Sequence, residues 1–367
     1  MQQISHKQLG FFLYFQVIGL GILVYPITIG QSVVRDAWLV GFTYMIAAAF
    51  VTVVVAWFAH VFPGQTLISG LRSAFGSWLG SLLGVWVLFW LYLVACIDAL
   101  ETTLFLNTTL FPNTPNYVIT ALFIIPISYA VYMGVEVLGR LAEIISPVGV
   151  ALTMLLFLLA LKNAHISYVT PVLADGMSPV LRGSAFPWAA GMKFIVALFL
   201  VPTLNKAGKL GRTLMLAGIC VGLTGVFIEG ATTLVLGQTR GSSSYPLLEV
   251  VRTIRIGSFV ERLDTIFVSL LIVTIFVNLT VLHYCIACGL QQLLRLSHHK
   301  TIVWSIGMLL WAGSVFLFRD SQQEKSFVLF TIPGYHYFTG LIIPSLAAAA
   351  YLIRKKLFPK AGSKKGA

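Results

Sequence analysis

The chain has 367 residues, of which 58% are hydrophobic and 10% charged, with a net charge of +12 and a mean hydropathy of +0.92. Soluble domains carry roughly 25% charged residues, so this composition excludes a water-soluble globular protein and makes lipid the main solvent. The basic excess does not point to nucleic acid, because the Lys and Arg residues lie between apolar runs, where they serve as topology signals and contacts to anionic lipid.

A helix crossing a bilayer needs about 20 apolar residues, and ten stretches approach that length: 9–29, 37–59, 81–109, 117–134, 143–161, 187–204, 213–236, 263–290, 301–318 and 336–353. Runs this long exclude a β-barrel, whose strands alternate with period two. The expected fold is an all-α polytopic membrane protein of about ten spans, forming one membrane unit over residues 1–367. The first run follows Met1–Lys7 without a small-residue cleavage site, so it reads as a span rather than a cleavable leader. Placing the N-terminus in the cytoplasm puts Lys7, Arg72, Arg140, Lys206, Lys209, Arg212, Arg295 and Lys300 on the inside. It also returns the basic tail 354–367, with Arg354, Lys355, Lys356, Lys360, Lys364 and Lys365, to the same side.

Two segments are neither spans nor short turns. Residues 60–80 read as a surface-lying cytoplasmic connector. Residues 238–262 read as an outer loop carrying a short amphipathic helix, with Leu247, Val250, Val251 and Ile254 spaced for one apolar face.

The first span contains Gly19, Gly21 and Pro26, all helix weakeners. Two readings stand. The helix opens its backbone toward a polar cavity, as in secondary transporters that bind ions and amino acids, or the glycines allow close helix packing. Span six, bracketed by Gly191 and Pro202, shows a less obvious break.

Ionisable side chains inside a membrane are costly and point to function. Here they are Asp98 and Glu101 in span three, Lys193 in span six and Glu229 in span seven. Asp98 and Glu101 are three residues apart and share a helix face. All four fall toward the outer half of the bilayer by residue count at about 1.5 Å per residue. They are expected to form one charge cluster, either a ligand or proton site or a structural ion pair. Span eight adds Asn278, Thr280, His283 and Tyr284, which can line a cavity or bond neighbouring helices; His283 alone reads as a packing residue.

The four cysteines, Cys96, Cys220, Cys285 and Cys288, lie inside apolar runs, which argues against a disulfide framework. Cys285 and Cys288 beside His283 approximate a metal spacing, but one apolar helix without a second ligand pair is a poor zinc site. No metal and no cofactor is expected. No phosphate loop, nucleophile elbow, zinc-protease helix or dinucleotide loop is present, so the chain does not read as an enzyme.

Several strings carry a resemblance. Ile4–Leu9 leads into Gly19-x-Gly21-Ile22-Leu23 and Pro26. Gly134–Pro147 and Pro171–Gly183 follow, then Tyr245–Leu248 and Glu261–Asp264. In order and spacing these resemble the B subunit of nutrient germinant receptors of endospore-forming bacteria, within the amino acid–polyamine–organocation superfamily. The resemblance implies two inverted five-helix repeats, residues 1–161 and 187–353, with broken first and sixth helices. It also implies a small nutrient ligand such as an amino acid or sugar, A-type and C-type partner subunits, and the spore inner membrane. Its ligand pocket, carried onto this chain, falls on Gly19, Gly21, Ile22, Tyr92, Phe194, Ala197, Leu198, Asn278 and Thr280. One departure stands out: where many relatives have an acidic residue after the Phe-Pro-aromatic start of span six, this chain has Ala189 and Ala190, with Lys193 a turn later. The alternative function is a proton- or sodium-coupled amino-acid permease.

Overall fold

Ser5 and Gln8 start the first helix, α1 (His6–Ser32). The Gln8 backbone N–H donates to Ser5 Oγ at 3.2 Å, and the Ser5 N–H donates to Gln8 Oε1 at 2.9 Å, a reciprocal capping box. Gln8 Nε2 and Lys7 Nζ then reach Glu143 at 3.1 and 3.0 Å, which ties the first resembling string to the second. The computed structural model describes residues 3–204, 207–255 and 263–357. Lys206, Glu261, Arg262 and the tail lysines Lys360, Lys364 and Lys365 lie outside the described residues.

The helix α1 runs unbroken through Gly19, Gly21 and Pro26, which corrects the expectation of an opened first span. The glycines serve packing instead. A Cβ on Gly19 would stand 2.7 Å from Asn278 Cβ, and one on Gly21 would overlap the Tyr25 ring. With neighbouring side chains occupying that space, the helix keeps its own backbone hydrogen bonds closed.

After α1 come α2 (Leu39–Val61) and α3 (Leu67–Thr109). The expected connector at 60–80 is largely helical: α3 begins at Leu67 and bends at Gly76, whose φ of 85° only glycine adopts easily, before the span proper. Arg72 in the first arm bonds Ser81 and the Gln292 carbonyl at 2.9 and 3.1 Å, fixing the bend. Helices α4 (Asn116–Met133) and α5 (Val135–Ala160) are separated by Gly134, φ 107°.

Span six is where the helix is interrupted. The helix α6 (Ser178–Gly191) passes into a 3₁₀ turn at Met192–Val196, then α7 (Ala197–Leu200), then a second 3₁₀ turn at Val201–Thr203. A mid-span 3₁₀ stretch marks a point of altered backbone geometry, and Lys193 sits on it. The end of this span also meets the N-terminus, where Ile4 N–H donates to the Thr203 carbonyl at 2.9 Å.

Next come α8 (Leu210–Leu236), a 3₁₀ turn at Gly237–Ser242, and α9 (Pro246–Arg252), whose Leu247, Val250 and Val251 are buried together with Ile254, as their spacing implies. Then follow α10 (Leu263–Leu294) and α11 (Val303–Phe316). The last span starts earlier than expected, as α12 (Ser321–Ser326). It continues through π turns at Phe327–Thr331 and Phe338–Ile342 into α13 (Ile332–Tyr337) and α14 (Ile343–Leu357). Each π turn immediately precedes a proline-bearing segment, Pro333 or Pro344; widening the turn relieves the clash of the proline ring with the preceding carbonyl.

Among the described residues, nine helical segments are long and apolar enough to cross a membrane; α11 with the preceding 3₁₀ turn His299–Ile302 supplies the shorter tenth stretch. The protein is an integral membrane protein. Helix α1 and span six are mostly buried, while α4 and α5 turn most of their surface outward. Outward side chains are large and apolar, including Trp78 and Phe330 at 82% and 83% exposure, as a lipid-facing perimeter requires.

Candidate functional site

Three elements meet at one buried polar cluster. Asp98 comes from the middle of α3, Lys193 from the 3₁₀ turn of span six and Asn278 from α10. Lys193 Nζ donates to Asp98 Oδ2 at 3.1 Å and Oδ1 at 3.4 Å; Asn278 Nδ2 donates to Asp98 Oδ2 at 2.6 Å. From α1, Gln16 Nε2 donates to the Asn278 carbonyl at 2.9 Å. All four residues are buried. Removing either charge would leave the other alone in an apolar interior, so the pair holds itself in place. Its hydrogen bonding is nonetheless incomplete: Asn278 Oδ1 and Gln16 Oε1 are buried without a partner, and buried amide oxygens are seldom left so.

Beside the pair lies a cavity of about 30 Å³, bordered by Gly21, Tyr25, Asp98, Ala190, Lys193 and His336 among others. His336 Nδ1 accepts from Trp90 Nε1 at 2.9 Å. Indole N–H can only donate, so the neutral imidazole carries its proton on Nε2. An ammonium, a carboxylate and an imidazole thus converge on one small space. A few tens of Å³ hold a water or two; an amino acid requires side chains such as Tyr25 and Phe186, which border the space, to move. Those two rings already pack edge to face at 5.9 Å.

The sequence-derived pocket residues distribute unevenly around this cavity. Gly21 borders it, Gly19 packs on Asn278, and Asn278 holds Asp98. Ile22 turns to a different small space, lined also by Tyr14 and Thr224. Tyr92 is on another face of α3, its hydroxyl donating to the Leu309 carbonyl of α11 at 3.1 Å. Phe194, Ala197 and Leu198 are buried at zero exposure and do not border the cavity. Thr280 Oγ1 bonds back to the Phe276 carbonyl of its own helix at 2.6 Å. Tyr25 and His336 were not anticipated, and Ala190 was noted only as part of the departure at the start of span six. Helical spacing carried part of the signal: at about 100° per residue, Val94 lies near Asp98 on α3 and Tyr92 does not, and Val94 borders the cavity.

The expected single charge cluster resolves into three places, and this corrects it. Lys193 pairs with Asp98. Glu229 pairs instead with Arg240, from the 3₁₀ turn just past its own helix: Arg240 Nη2 donates to Glu229 Oε2, Arg240 Nη1 donates to Thr233 Oγ1 at 2.8 Å, and Nη2 also reaches the Pro26 carbonyl of α1 at 3.4 Å. Glu101 belongs to neither pair, and Glu324 of α12 is a further, fully buried carboxyl. Arg240 and Glu324 escaped notice because both fall in segments that read as loops. His283 is buried, with Nε2 bonded to the Val303 carbonyl at 3.1 Å.

A family model described as "Spore germination protein" matches residues 3–322. Spore germination protein KB of Bacillus subtilis (strain 168) is 25% identical over 96% of this chain and 96% of its own length. Spore germination protein YndE of the same organism is 23% identical over 76% of this chain and 78% of its length, and spore germination protein XB of Bacillus anthracis is 24% identical over 74% and 76%. Among solved structures, MHP1, a nucleobase-cation-symport-1 family transporter in a closed conformation with bromovinylhydantoin bound, superposes with a TM-score of 0.72 at 13% identity, over 99% of this chain and 95% of that one. MhsT in complex with L-phenylalanine superposes at 0.60 and 13% identity, over 96% and 90%. The fold is therefore that of these transporters.

Proposed function

We propose that this chain, which belongs to the spore germination protein family, is the nutrient-sensing membrane subunit of a germinant receptor, with its recognition site at the Asp98–Lys193 pair. The observation that carries this reading is the buried Asp98–Lys193 pair, braced by Asn278 and bordering a cavity where the helix of span six is interrupted. A zwitterionic amino acid presents one carboxylate and one ammonium, the complement of a separable Lys–Asp pair. Exchanging the internal pair for two pairs with the ligand keeps every charge compensated.

In the present arrangement the cavity is too small for such a ligand, so binding selects an arrangement in which Tyr25, Phe186 and the interrupted stretch of span six give way. A ligand that binds that arrangement more tightly shifts the population toward it, and the shift is the signal read by A-type and C-type partner subunits. On this reading the chain sits in the spore inner membrane with both termini in the cytoplasm, supported by the distribution of Lys and Arg between spans. The two inverted repeats, 1–161 and 187–353, would supply the bodies that rearrange.

The test is a nutrient panel applied to spores lacking this chain and complemented with it, alongside labelled amino-acid uptake in vesicles containing the purified protein. Nutrient-dependent germination that Asp98→Asn abolishes, without saturable uptake, supports a sensor. Saturable uptake driven by a proton or sodium gradient would make the chain a permease instead.

A further inference from the structure

A second, larger cavity lies at the bend of α3, remote in sequence from the Asp98–Lys193 pair. It measures about 450 Å³ and is bordered by Gly64, Thr66, Ser69, Arg72, Pro202 and Gln292. A cavity of this size admits a small molecule without rearrangement. It belongs to the face of the molecule that carries the N-terminus, since Ile4 N–H donates to the carbonyl of Thr203, next to Pro202. Its walls come from the first arm of α3, the end of span six and the end of α10. The same three elements carry Asp98, Lys193 and Asn278 farther along their lengths.

The walls offer donors, and among the described residues no Asp or Glu borders the cavity. Arg72 has five N–H groups. Three are engaged, by Ser81 Oγ at 2.9 Å and by the carbonyls of Gln292 and Leu293 at 3.1 and 3.4 Å, which leaves two. Gln292 Oε1 accepts from Thr66 Oγ1, and its amide N–H groups have no acceptor among the described residues. The surrounding face is basic. Phe62 packs on Tyr351 at 4.9 Å, which brings exposed Arg354, Lys355 and Lys356 of α14 to this side. A guanidinium flanked by amide and hydroxyl groups suits the oxygens of a phosphate, and a basic face draws anions toward it. Just past the Gly76 bend stand exposed Trp78, Leu79 and Leu82. Tryptophan favours the headgroup level of a bilayer, which sets the cavity near lipid phosphates.

We propose that this cavity binds a phosphate group through Arg72 and Gln292, presented by the headgroup of an anionic lipid or by a phosphorylated solute. Bound there, the phosphate bridges the bent arm of α3 to the end of α10, beside the end of span six.

Arg72→Gln would remove the charge together with the bonds that fix the bend, so the test uses two other positions. Gly64 has a φ of 71°, and a Cβ there meets nothing; Asn and Asp both tolerate that backbone. Gly64→Asp sets a carboxylate at the cavity, and Gly64→Asn is its uncharged counterpart. Gln292→Glu sets one from α10 and keeps the acceptor for Thr66. Thermal unfolding of the full-length protein in neutral detergent is measured with added phosphatidylglycerol, phosphatidylcholine or glycerol 3-phosphate. A ligand of the folded state raises the unfolding temperature. Phosphatidylglycerol is expected to raise it for the parent and Gly64→Asn, while Gly64→Asp and Gln292→Glu need about tenfold more for the same rise. A rise with phosphatidylglycerol alone makes the source a lipid; a rise with glycerol 3-phosphate opens the site to soluble phosphates. No rise with either anion, an equal rise with phosphatidylcholine, or a rise that both acidic variants leave unchanged would overturn the proposal.

Discussion

Two buried ion pairs lie among the described residues, and they differ in what surrounds them. Arg240 spreads its guanidinium over Glu229, the Thr233 hydroxyl and the Pro26 carbonyl, fastening the turn after α8 to both α8 and α1. None of the six residues named around the cavity takes part. Lys193, by contrast, gives two hydrogen bonds to one carboxylate, next to unpartnered amide oxygens and a small cavity. An arginine fork spread over three acceptors on two helices is a fastening, even with its Nε unpartnered; a lysine–aspartate pair that borders open space can be exchanged for a ligand. Burial of charge alone does not separate the two. The adjoining space does.

The comparison can be broken most sharply by removing one charge at a time. Asp98→Ala strands Lys193 and Arg240→Ala strands Glu229, and each is expected to cost about 3–5 kcal/mol, measured by thermal or denaturant unfolding of the purified protein. The double replacements then divide the pairs. Glu229→Leu with Arg240→Met should recover most of the stability and keep the nutrient response. Asp98→Leu with Lys193→Met should recover stability while leaving spores unresponsive. A response that survives loss of the Asp98–Lys193 pair would erase the distinction.

A smaller effect is expected at Gly19. Alanine there places a Cβ against Asn278, a crowding that costs about 1–3 kcal/mol and displaces the amide that holds Asp98. Lower unfolding temperature together with a weakened nutrient response would be the signature; lower stability alone would remove Gly19 from the site. The smallest change is Tyr92→Phe, which deletes one hydrogen bond to the Leu309 carbonyl at about 0.5–1.5 kcal/mol and should leave nutrient preference unaltered.

Much of the fold was legible because apolar runs of membrane length admit few structures. Asp98, Lys193 and Asn278 were legible for the same reason, since polar groups stand out against such runs. The state of α1 was not. Gly19, Gly21 and Pro26 weaken a helix on propensity alone, but the volumes of Asn278 and Tyr25 decide what the glycines are for, and those come from tertiary packing. Glu324 lies among Gln322, Gln323 and Lys325, which interrupt the hydropathy of the last span, so its helix reads as a loop. Glu229 was placed in the common charge cluster for want of a visible partner; the true one lies eleven residues on, past the glycine that ends α8.

The most direct test of nutrient recognition at the Asp98–Lys193 cavity is a germination dose–response over a nutrient panel for spores carrying Ala190→Val, with Tyr92→Phe as the comparison. Ala190 borders the cavity and Tyr92 does not. A nutrient preference or half-maximal concentration altered by about tenfold or more, which corresponds to about 1.4 kcal/mol, is expected for Ala190→Val, with none for Tyr92→Phe. An unaltered response in correctly assembled Ala190→Val receptors, or an altered one in Tyr92→Phe, would place recognition elsewhere.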